Sequence, residues 1–422
     1  MALNKTIKKC RVCSSARLQS VITLGNQYIS NFVWQDREGI KAPLELAMCE
    51  NCKLVQLKHT AIDPNILYRN YWYKSGINLT MQQALADITK KVEKLSKLQK
   101  GDIVLDIGAN DGTLLRSYKT KDIKLIGFEP AKNLMEDAQK NTDLIINDFF
   151  NIRSYFRFLD KKAKVITAIA MFYDLEDPNS FVSEISSCLE ADGIFVVQMA
   201  YQPLMLEQNA FDNICHEHIE YYSTSSLMYL LDRHNLEVFD VELNNINGGS
   251  FRVYIKHKGN NRIKGFAGAS KRVDELLKRE RKSGANTLRT YKAFAERVSN
   301  LREKTRNFIF DRIKHGKKIY AYGASTKGNT LLQYYGLDFR HIVAAAERNS
   351  LKWGLKTVGT LIPIVSEQKA RKAKPDYFLV LPWHFREEFI EREERYLQSG
   401  GKMIYPLPKL EIINNSGVRD VK

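Results

Sequence analysis

The chain has 422 residues, with 65 Lys/Arg against 48 Asp/Glu and a formal net charge of +17 at pH 7. That length predicts two to four domains with ample core, and a composition 44% hydrophobic and 27% charged is that of an ordinary soluble chain. No apolar run approaches the ~20 residues of a membrane helix, and the start Met-Ala-Leu-Asn-Lys-Thr-Ile-Lys-Lys lacks an apolar signal core; a cytoplasmic protein with no membrane partner is expected.

Residues 1–60 are read as a small unit built on Cys10-x2-Cys13 and Cys49-x2-Cys52, which use four of the six cysteines. In a reducing compartment, paired knuckles suit a metal rather than a disulfide framework. Four thiolates close a tetrahedron and leave no open position. Cys10, Cys13, Cys49 and Cys52 are therefore predicted to hold a structural zinc. Between the knuckles, Asn26 to Asn31 either reach a ligand or decorate a loop.

Residues 61–100 carry an aromatic cluster, Tyr68, Tyr71, Trp72 and Tyr73, followed by Ser75 and Gly76. Met81, Ala84, Leu85, Ile88 and Val92 then recur at helical spacing. This stretch is read as a helical linker beside a ligand site.

Residues 101–258 alternate strand and helix in the manner of a doubly wound sheet. Strands are expected at 103–107, 124–128, 144–146, 165–170, 194–199, 236–242 and 251–257, the last two as a hairpin. The first strand runs into Gly108, and Gly112 is read as opening a helix. Glycine lets the backbone approach a ligand closely. Glu129 ends the second strand, where a carboxylate accepts ribose hydroxyls; Asp148 ends the third. The dinucleotide fingerprint G-x-G-x-x-G is absent. Asp106 with Gly108-x3-Gly112 instead resembles motif I of class I S-adenosylmethionine-dependent methyltransferases. Cofactor contacts are expected at Asp106, Gly108, Asn110, Gly112, Glu129, Asp148 and Met171. A sulfonium favours an aromatic face, which adds Tyr73 and Ser75.

Residues 259–315 form a basic connector. Positions 262–318 hold 18 Lys/Arg against 6 Asp/Glu, a net of +12. Such a segment suits a polyanionic partner or a solvated helix. Its apolar stripe is Tyr291, Phe294, Ala295, Val298, Leu301, Phe308 and Ile309. Residues 316–422 begin a second α/β unit, with strands expected at 318–322, 341–346, 376–381 and 402–405. The turn Gly323-Ala-Ser-Thr-Lys-Gly-Asn329 leads into a helix. Ser325, Lys327 and Asn329 there suggest an anion cradle, without Walker spacing. The last dozen residues are expected to fray.

The densest chemistry is Cys215-His-Glu-His-Ile-Glu-Tyr-Tyr222 after the fifth sheet strand. It is not the H-E-x-x-H of zinc peptidases. In an extended segment, His216 and His218 face one way and Glu217 the other. A neutral imidazole is the natural base near pH 7.

Taken in order, the Cys pairs, the Tyr-rich Ser-Gly segment, motif I, His-Glu-His-x3-Tyr-x-Ser, Asn-Gly-Gly-Ser-x-Arg and Gly-Ala-Ser-Thr-Lys-Gly-Asn span nearly the whole chain. The whole resembles sugar C-methyltransferases that act on nucleotide-linked 4-keto-6-deoxysugars. The resemblance implies an α/β fold: a class I methyltransferase sheet with an N-terminal zinc-binding domain and a C-terminal pseudo-Rossmann domain. It implies S-adenosylmethionine as donor, a nucleotide held between domains, His218 as base and Glu217 on the sugar. Two positions depart from the better-known members. Cys215 stands where they place a tyrosine, and Met171-Phe-Tyr-Asp-Leu175 where they often carry a histidine. Tyr173, Tyr221 or Tyr222 can substitute, and Arg252 joins Lys327 as a phosphate candidate. The competing readings are O- or N-methylation of a nucleotide-sugar, and an RNA-binding methyltransferase. Against RNA, aromatics are not interleaved with Lys/Arg. The sequence allows a monomer or a homodimer.

Overall fold

The computed structural model describes residues 2–34 and 39–420. Its centre is a seven-stranded sheet in the spatial order Leu236–Asn244, Ser250–His257, Leu189–Ala200, Ala163–Ile169, Ile103–Ile107, Lys124–Phe128, Leu144–Ile146. Leu189–Ala200 and the four strands after it in that order pair in parallel; Ser250–His257 runs antiparallel to both of its neighbours. Ile103–Ile107 is buried at every position, as a strand covered on both faces must be. The chain order reverses on either side of it, so the crevice at its carboxyl end is the ligand site of such a sheet.

Helix Leu79–Ser96 covers this sheet. Asn78 caps it by accepting from Thr80 N, and Met81, Leu85, Ile88 and Val92 are its buried stripe. The helix expected from Gly112 does not form. Only a single 3₁₀ turn, Leu115–Ser117, follows the glycine turn, and Tyr118 is already extended. The segment folds around side chains instead. Arg116 donates to the carbonyls of Asp111 and Asp137, and Asp111 accepts from the amides of Thr113 and Gly76.

The long gap between the cysteine knuckles is a β-hairpin, Leu18–Tyr28 with Lys41–Cys49. It continues into Val55–Leu57 and then into Glu220–Tyr221, which comes from the central unit. Near the hairpin tip, Phe32–Val33 pairs with Lys356–Thr357 of the C-terminal unit. Ser30 Oγ donates to Thr326 O at 2.9 Å, and Tyr28 N to Gln333 Oε1 at 2.7 Å. The N-terminal unit thus touches both of the others.

The basic connector is two helices, Ala269–Ser283 and Leu288–Lys314, broken at Gly284 with φ 62°. Tyr291, Phe294, Val298, Leu301 and Ile309 enter the same core as the C-terminal sheet. Several connector cations are engaged within the fold. Arg272 binds the buried Asp240 carboxylate at 2.7 Å, Arg279 binds Glu207 at 2.7 Å, and Arg297 donates to Leu206 O at 2.7 Å.

The second seven-stranded sheet has the order Ile364–Ser366, Ala345–Glu347, Ile319–Tyr322, Tyr377–Val380, Lys402–Tyr405, Glu411–Asn414, Gly417–Asp420. Its first five strands are parallel, and the last two form an antiparallel hairpin. The expectation of a frayed end is therefore corrected through Asp420. Leu410, Ile412 and Ile413 are buried, and Glu411 pairs with Arg386. Burying those side chains outweighs the entropy of ordering the tail. Residues 421–422 lie outside the described residues. Among the described residues, no helix is long and apolar enough to cross a membrane.

Ile413→Ala should cost about 2–4 kcal/mol, as for other buried aliphatic truncations. Thermal unfolding checks it, and a melting temperature equal to the parent's would contradict a packed tail.

Candidate active site

A cavity of about 1140 Å³ lies at the carboxyl ends of both parallel sheets. That exceeds the usual range for one drug-sized ligand and leaves room for two.

One half is built around motif I. Gly108 has φ 74°, and a Cβ there would stand 3.2 Å from Met171 Cγ. Asn110, at φ 53°, donates its backbone N–H to Glu129 Oε2 at 2.7 Å, while Ala131 N donates to Oε1 at 2.7 Å. The Asn110 side chain accepts from Ser75 N at 2.9 Å and donates to Tyr73 O at 3.0 Å. The aromatic segment is thereby tied to the glycine turn, and Tyr73, 44% exposed, lines the cavity. Burial pushes the Glu129 carboxyl up to about 7. Burial also pushes Asp106 up to about 7, although Thr167 Oγ1 donates to it at 2.6 Å. Asp148 lines the cavity and pairs with Arg69 at 2.9 Å. Ser75 and Met171 also lie on this wall. A turn without Cβ, a carboxylate with lone pairs to spare and an aromatic wall fit a nucleoside with a cationic arm.

Gly112 does not reach the wall. Its φ is 77°, and a Cβ there would meet Ala138 O at 2.8 Å, so it serves chain packing.

The other half is built around Asn213. Its backbone carbonyl accepts from His218 Nδ1 at 3.0 Å and from Tyr221 Oη at 3.1 Å. Its side-chain Oδ1 accepts from Lys327 Nζ at 2.6 Å. An Nδ1–H held on a carbonyl leaves Nε2 of His218 as the unprotonated nitrogen. The His218 ring packs on Tyr173 with centroids 4.3 Å apart. Burial, then the Lys327 charge, pushes His218 down to about 3. Burial pushes Glu217 up to about 7, with Lys327 opposing. Burial and the Glu217 charge hold Asp174 well above the carboxylate range, and its Oδ1 has no hydrogen-bond partner.

Among the expected substrate and catalytic residues, His218, Glu217, Tyr173, Ser325 and Lys327 line the cavity. Ser325 caps helix Thr326–Tyr335 by accepting from Gly328 N at 3.0 Å. Four others do not line it. His216 is buried with Nε2 on Ala42 O at 3.1 Å, pinning the loop to the N-terminal unit. Tyr222 is fully buried and donates to Glu220 at 2.6 Å. Arg252 is buried in the central sheet, where it binds Asp87 at 2.9 Å and Gln198 at 2.9 Å. Asn329 is buried and donates to Asn31 O at 3.1 Å. His216, Tyr222 and Arg252 have polar groups engaged inside the fold, and Asn329 donates there as well while its Oδ1 is buried without a partner. Cys215 is likewise fully buried and off the wall.

Sequence reasoning missed Asn213, Asp174, His384, Glu347 and Arg348. His384, Glu347 and Arg348 line the cavity from the C-terminal unit, His384 just past the strand Tyr377–Val380. The carboxyl end of a parallel strand was the available signal.

The zinc knuckles converge as expected. Sγ of Cys10 and Cys52 lie 3.5 Å apart, those of Cys13 and Cys49 3.4 Å, and all four fall within 4.8 Å of one another. Zn–S bonds of about 2.3 Å give a tetrahedron with edges of about 3.8 Å, so the set fits zinc.

Comparison with known proteins agrees with this geometry. A zinc binding domain model matches residues 10–68, a methyltransferase domain model 79–241, and a C-methyltransferase C-terminal domain model 245–408. C-methyltransferase NovU of Streptomyces niveus is 30% identical over 419 residues, covering 97% of this chain and 98% of that protein. This chain belongs to the C-methyltransferase family. It is an S-adenosylmethionine-dependent methyltransferase that carries zinc. Two solved structures overlap less than half of this chain. A S-adenosylmethionine-dependent methyltransferase from Clostridium acetobutylicum covers 42% of this chain and 92% of its own, at 12% identity and TM-score 0.33. The magnesium protoporphyrin IX methyltransferase ChlM of Synechocystis PCC 6803 covers 43% and 85%, at 10% identity and TM-score 0.32. Overlaps of that size carry no functional weight.

Purified enzyme should contain about one zinc per chain, and Cys13→Ser or Cys49→Ser should lose it. Metal analysis reads the outcome; a zinc-free wild type prepared without chelators would exclude the site. Glu129→Ala should weaken S-adenosylmethionine binding by about 1.5–3 kcal/mol, the range for hydrogen bonds to a charged group. Calorimetry checks it, and unchanged affinity would move the ribose contact elsewhere.

Proposed function

We propose that this C-methyltransferase acts on a nucleotide-linked keto-deoxysugar, at a carbon next to the ketone. The observation that carries the reading is His218. Its Nδ1–H is spent on the Asn213 carbonyl, and its ring lies in the cavity between the cofactor wall and Lys327. A carbon-bound proton beside a ketone needs a neutral base and a place for the enolate charge.

His218 Nε2 takes that proton. Lys327 lowers the basicity of His218, yet the same cation stabilises an enolate oxygen placed between them. Tyr173 contributes a second donor, since its hydroxyl makes no hydrogen bond to any described residue and its ring packs on His218. Of the three tyrosines proposed to replace the one absent at Cys215, Tyr221 and Tyr222 have their hydroxyls engaged, which leaves Tyr173. Glu217 holds the sugar hydroxyls. S-adenosylmethionine, when bound, supplies an electrophilic methyl carbon on the facing wall. Asn110, tied to the Tyr73 segment, keeps that wall in place. The diphosphate lies over the first amides of helix Thr326–Tyr335.

O- or N-methylation needs the base but no enolate cradle, so Lys327 and Tyr173 favour carbon. The RNA reading is weakened because Arg272 and Arg297 of the connector are bonded inside the fold and Arg279 is paired with Glu207 at the surface.

His218→Asn should lower turnover by about 10²–10⁴-fold and stop deuterium exchange next to the ketone, with cofactor affinity kept. Mass spectrometry with nucleotide keto-sugars reads both, and full exchange in the variant would place the base elsewhere. Burial pushes Glu217 up to about 7, and its ionised form is the better acceptor for the sugar hydroxyls that hold the carbon-bound proton at His218. Exchange should therefore rise with pH through about 7 in the wild type and be flat there in Glu217→Gln. An identical profile in the two would remove Glu217 from the step. Lys327→Ala should lower the exchange rate and raise the Michaelis constant for the sugar nucleotide. Neutralising Lys278, Arg279, Arg281 and Lys282 together should change neither.

A further inference from the structure

The turn Phe172–Asp174, just past the strand Ala163–Ile169, places a second carboxyl beside that of Glu217. Backbone bonds fix the turn. Asp174 N donates to Met171 O at 3.0 Å, and Ile219 N donates to Tyr173 O at 3.0 Å. Glu176, two residues on, accepts from Thr60 Oγ1 at 2.9 Å and pairs with Arg11 at 3.3 Å. Tyr173 and Asp174 are thereby held against the segment of Glu217 and His218, and all four line the cavity. Asp174 Oδ1 is buried and has no hydrogen-bond partner.

The groups that face this carboxyl are acids or hydroxyls. Tyr68 and Tyr71 approach from the segment before helix Leu79–Ser96, and Tyr173 from its own turn. Cys215, Glu217, Glu220 and Tyr221 approach from the His-Glu-His segment. None of these groups carries a positive charge. Lys327 faces Asp212, Cys215 and Glu217 instead. One ammonium does not neutralise two buried carboxylates, so the one without a cation keeps a proton. Burial, then the Glu217 charge, hold Asp174 well above the carboxylate range. Tyr68 Oη stands beside it but donates to Glu217 O at 3.3 Å. An ionised carboxylate only accepts, whereas a neutral carboxylic acid has an O–H to donate.

We propose that Asp174 donates a hydrogen bond from its neutral carboxyl group to the ketone oxygen of the substrate, and to the enolate oxygen that this becomes. This rests on the keto-sugar reading above. His218 takes the carbon-bound proton, and the charge that moves onto oxygen meets Lys327, Tyr173 and the Asp174 O–H together. Asp174 keeps its proton through the step, so it is a donor and not a second base. A neutral donor stabilises the developing charge without a further cation, which would lower the basicity of His218.

The test is deuterium exchange next to the ketone, followed against pH on the full-length zinc enzyme with nucleotide keto-sugars and S-adenosylhomocysteine. Wild-type exchange should fall at alkaline pH, beyond the rise that Glu217 gives at about 7. The sign follows from the raised value of Asp174: the donor is present below it and is lost as pH climbs through it. Asp174→Ala should lower exchange about 10²–10³-fold, as for the loss of one oxyanion donor. Asp174→Asn, whose amide donates at every pH, should exceed Asp174→Ala by about tenfold or more and lose the alkaline fall. Both variants should bind S-adenosylhomocysteine as the parent does; weaker binding in both would mark a structural role instead. An Asn variant as slow as the Ala variant overturns the donor, because an acceptor or a base is what both would lack. An alkaline fall unchanged in Asp174→Asn belongs to another group and also overturns it. Wild-type exchange that stays level at alkaline pH does the same, even if neither variant folds. Each of these results leaves the keto-sugar reading standing. Wild-type enzyme that exchanges no keto-sugar overturns that reading and the role of Asp174 with it.

Discussion

The site depends on one short piece of backbone pairing. Glu220 and Tyr221, just past His218, form an edge strand against Gln56 and Val55 of the N-terminal unit. Leu57 N also donates to Ile219 O at 2.8 Å. The loop that carries His218 is thereby an extension of the zinc unit's sheet. Gln56, in that sheet, donates to Cys10 Sγ at 3.2 Å and accepts from Arg11 N at 3.1 Å. Arg11 in turn pairs with Glu176 at 3.3 Å, beside the cavity-lining segment after the fourth strand. A structural metal closes a small unit that could not bury a core alone. Through this pairing it also sets where an imidazole sits.

The cavity has an uneven charge design. Asp174 and Glu217 are carboxyls with little solvation, burial raises the proton affinity of both, and the Glu217 charge raises that of Asp174 further. Lys327 is the cation brought among them, from the far side of the cavity and the C-terminal unit. Its ammonium is held by Asn213, the residue whose carbonyl holds His218. His218 and Lys327 are therefore oriented by a single side chain and its backbone, which fixes their separation better than two independent supports would.

Two sheets whose five parallel strands share one order face a common space, and the N-terminal hairpin bridges them. Phe32–Val33 pairs with Lys356–Thr357, and Trp72 Nε1 donates to Asn31 Oδ1 at 2.9 Å. The carboxyl ends of both sheets thus share a wall with the aromatic segment before helix Leu79–Ser96. A cavity large enough for cofactor and substrate together follows from that arrangement, since neither sheet alone surrounds it.

Much of this was legible in the chain. Three strands of the central sheet, 103–107, 124–128 and 144–146, were placed to the residue, because short apolar runs bounded by glycine, charge or polar residues have only one register in a covered sheet. The cysteine spacing announced its metal, and motif I with Glu129 announced its cofactor, because those patterns are local in sequence. Other features were not local. His216, Tyr222, Arg252 and Asn329 have the residue types of a site, but they are buried off the cavity wall and donate to or hold partners from 2 to 298 positions away. The tail looked polar and terminal, yet Ile412 and Ile413 find a sheet edge that only the folded unit provides. The helix after Gly112 lost to the bonds of Arg116 and Asp111. Sequence by itself determined the strand pattern, the metal ligands and the motif I cofactor turn. Tertiary structure alone decided which polar side chains remain unspent at the cavity, because that depends on the hydrogen bonds the rest of the chain has already claimed.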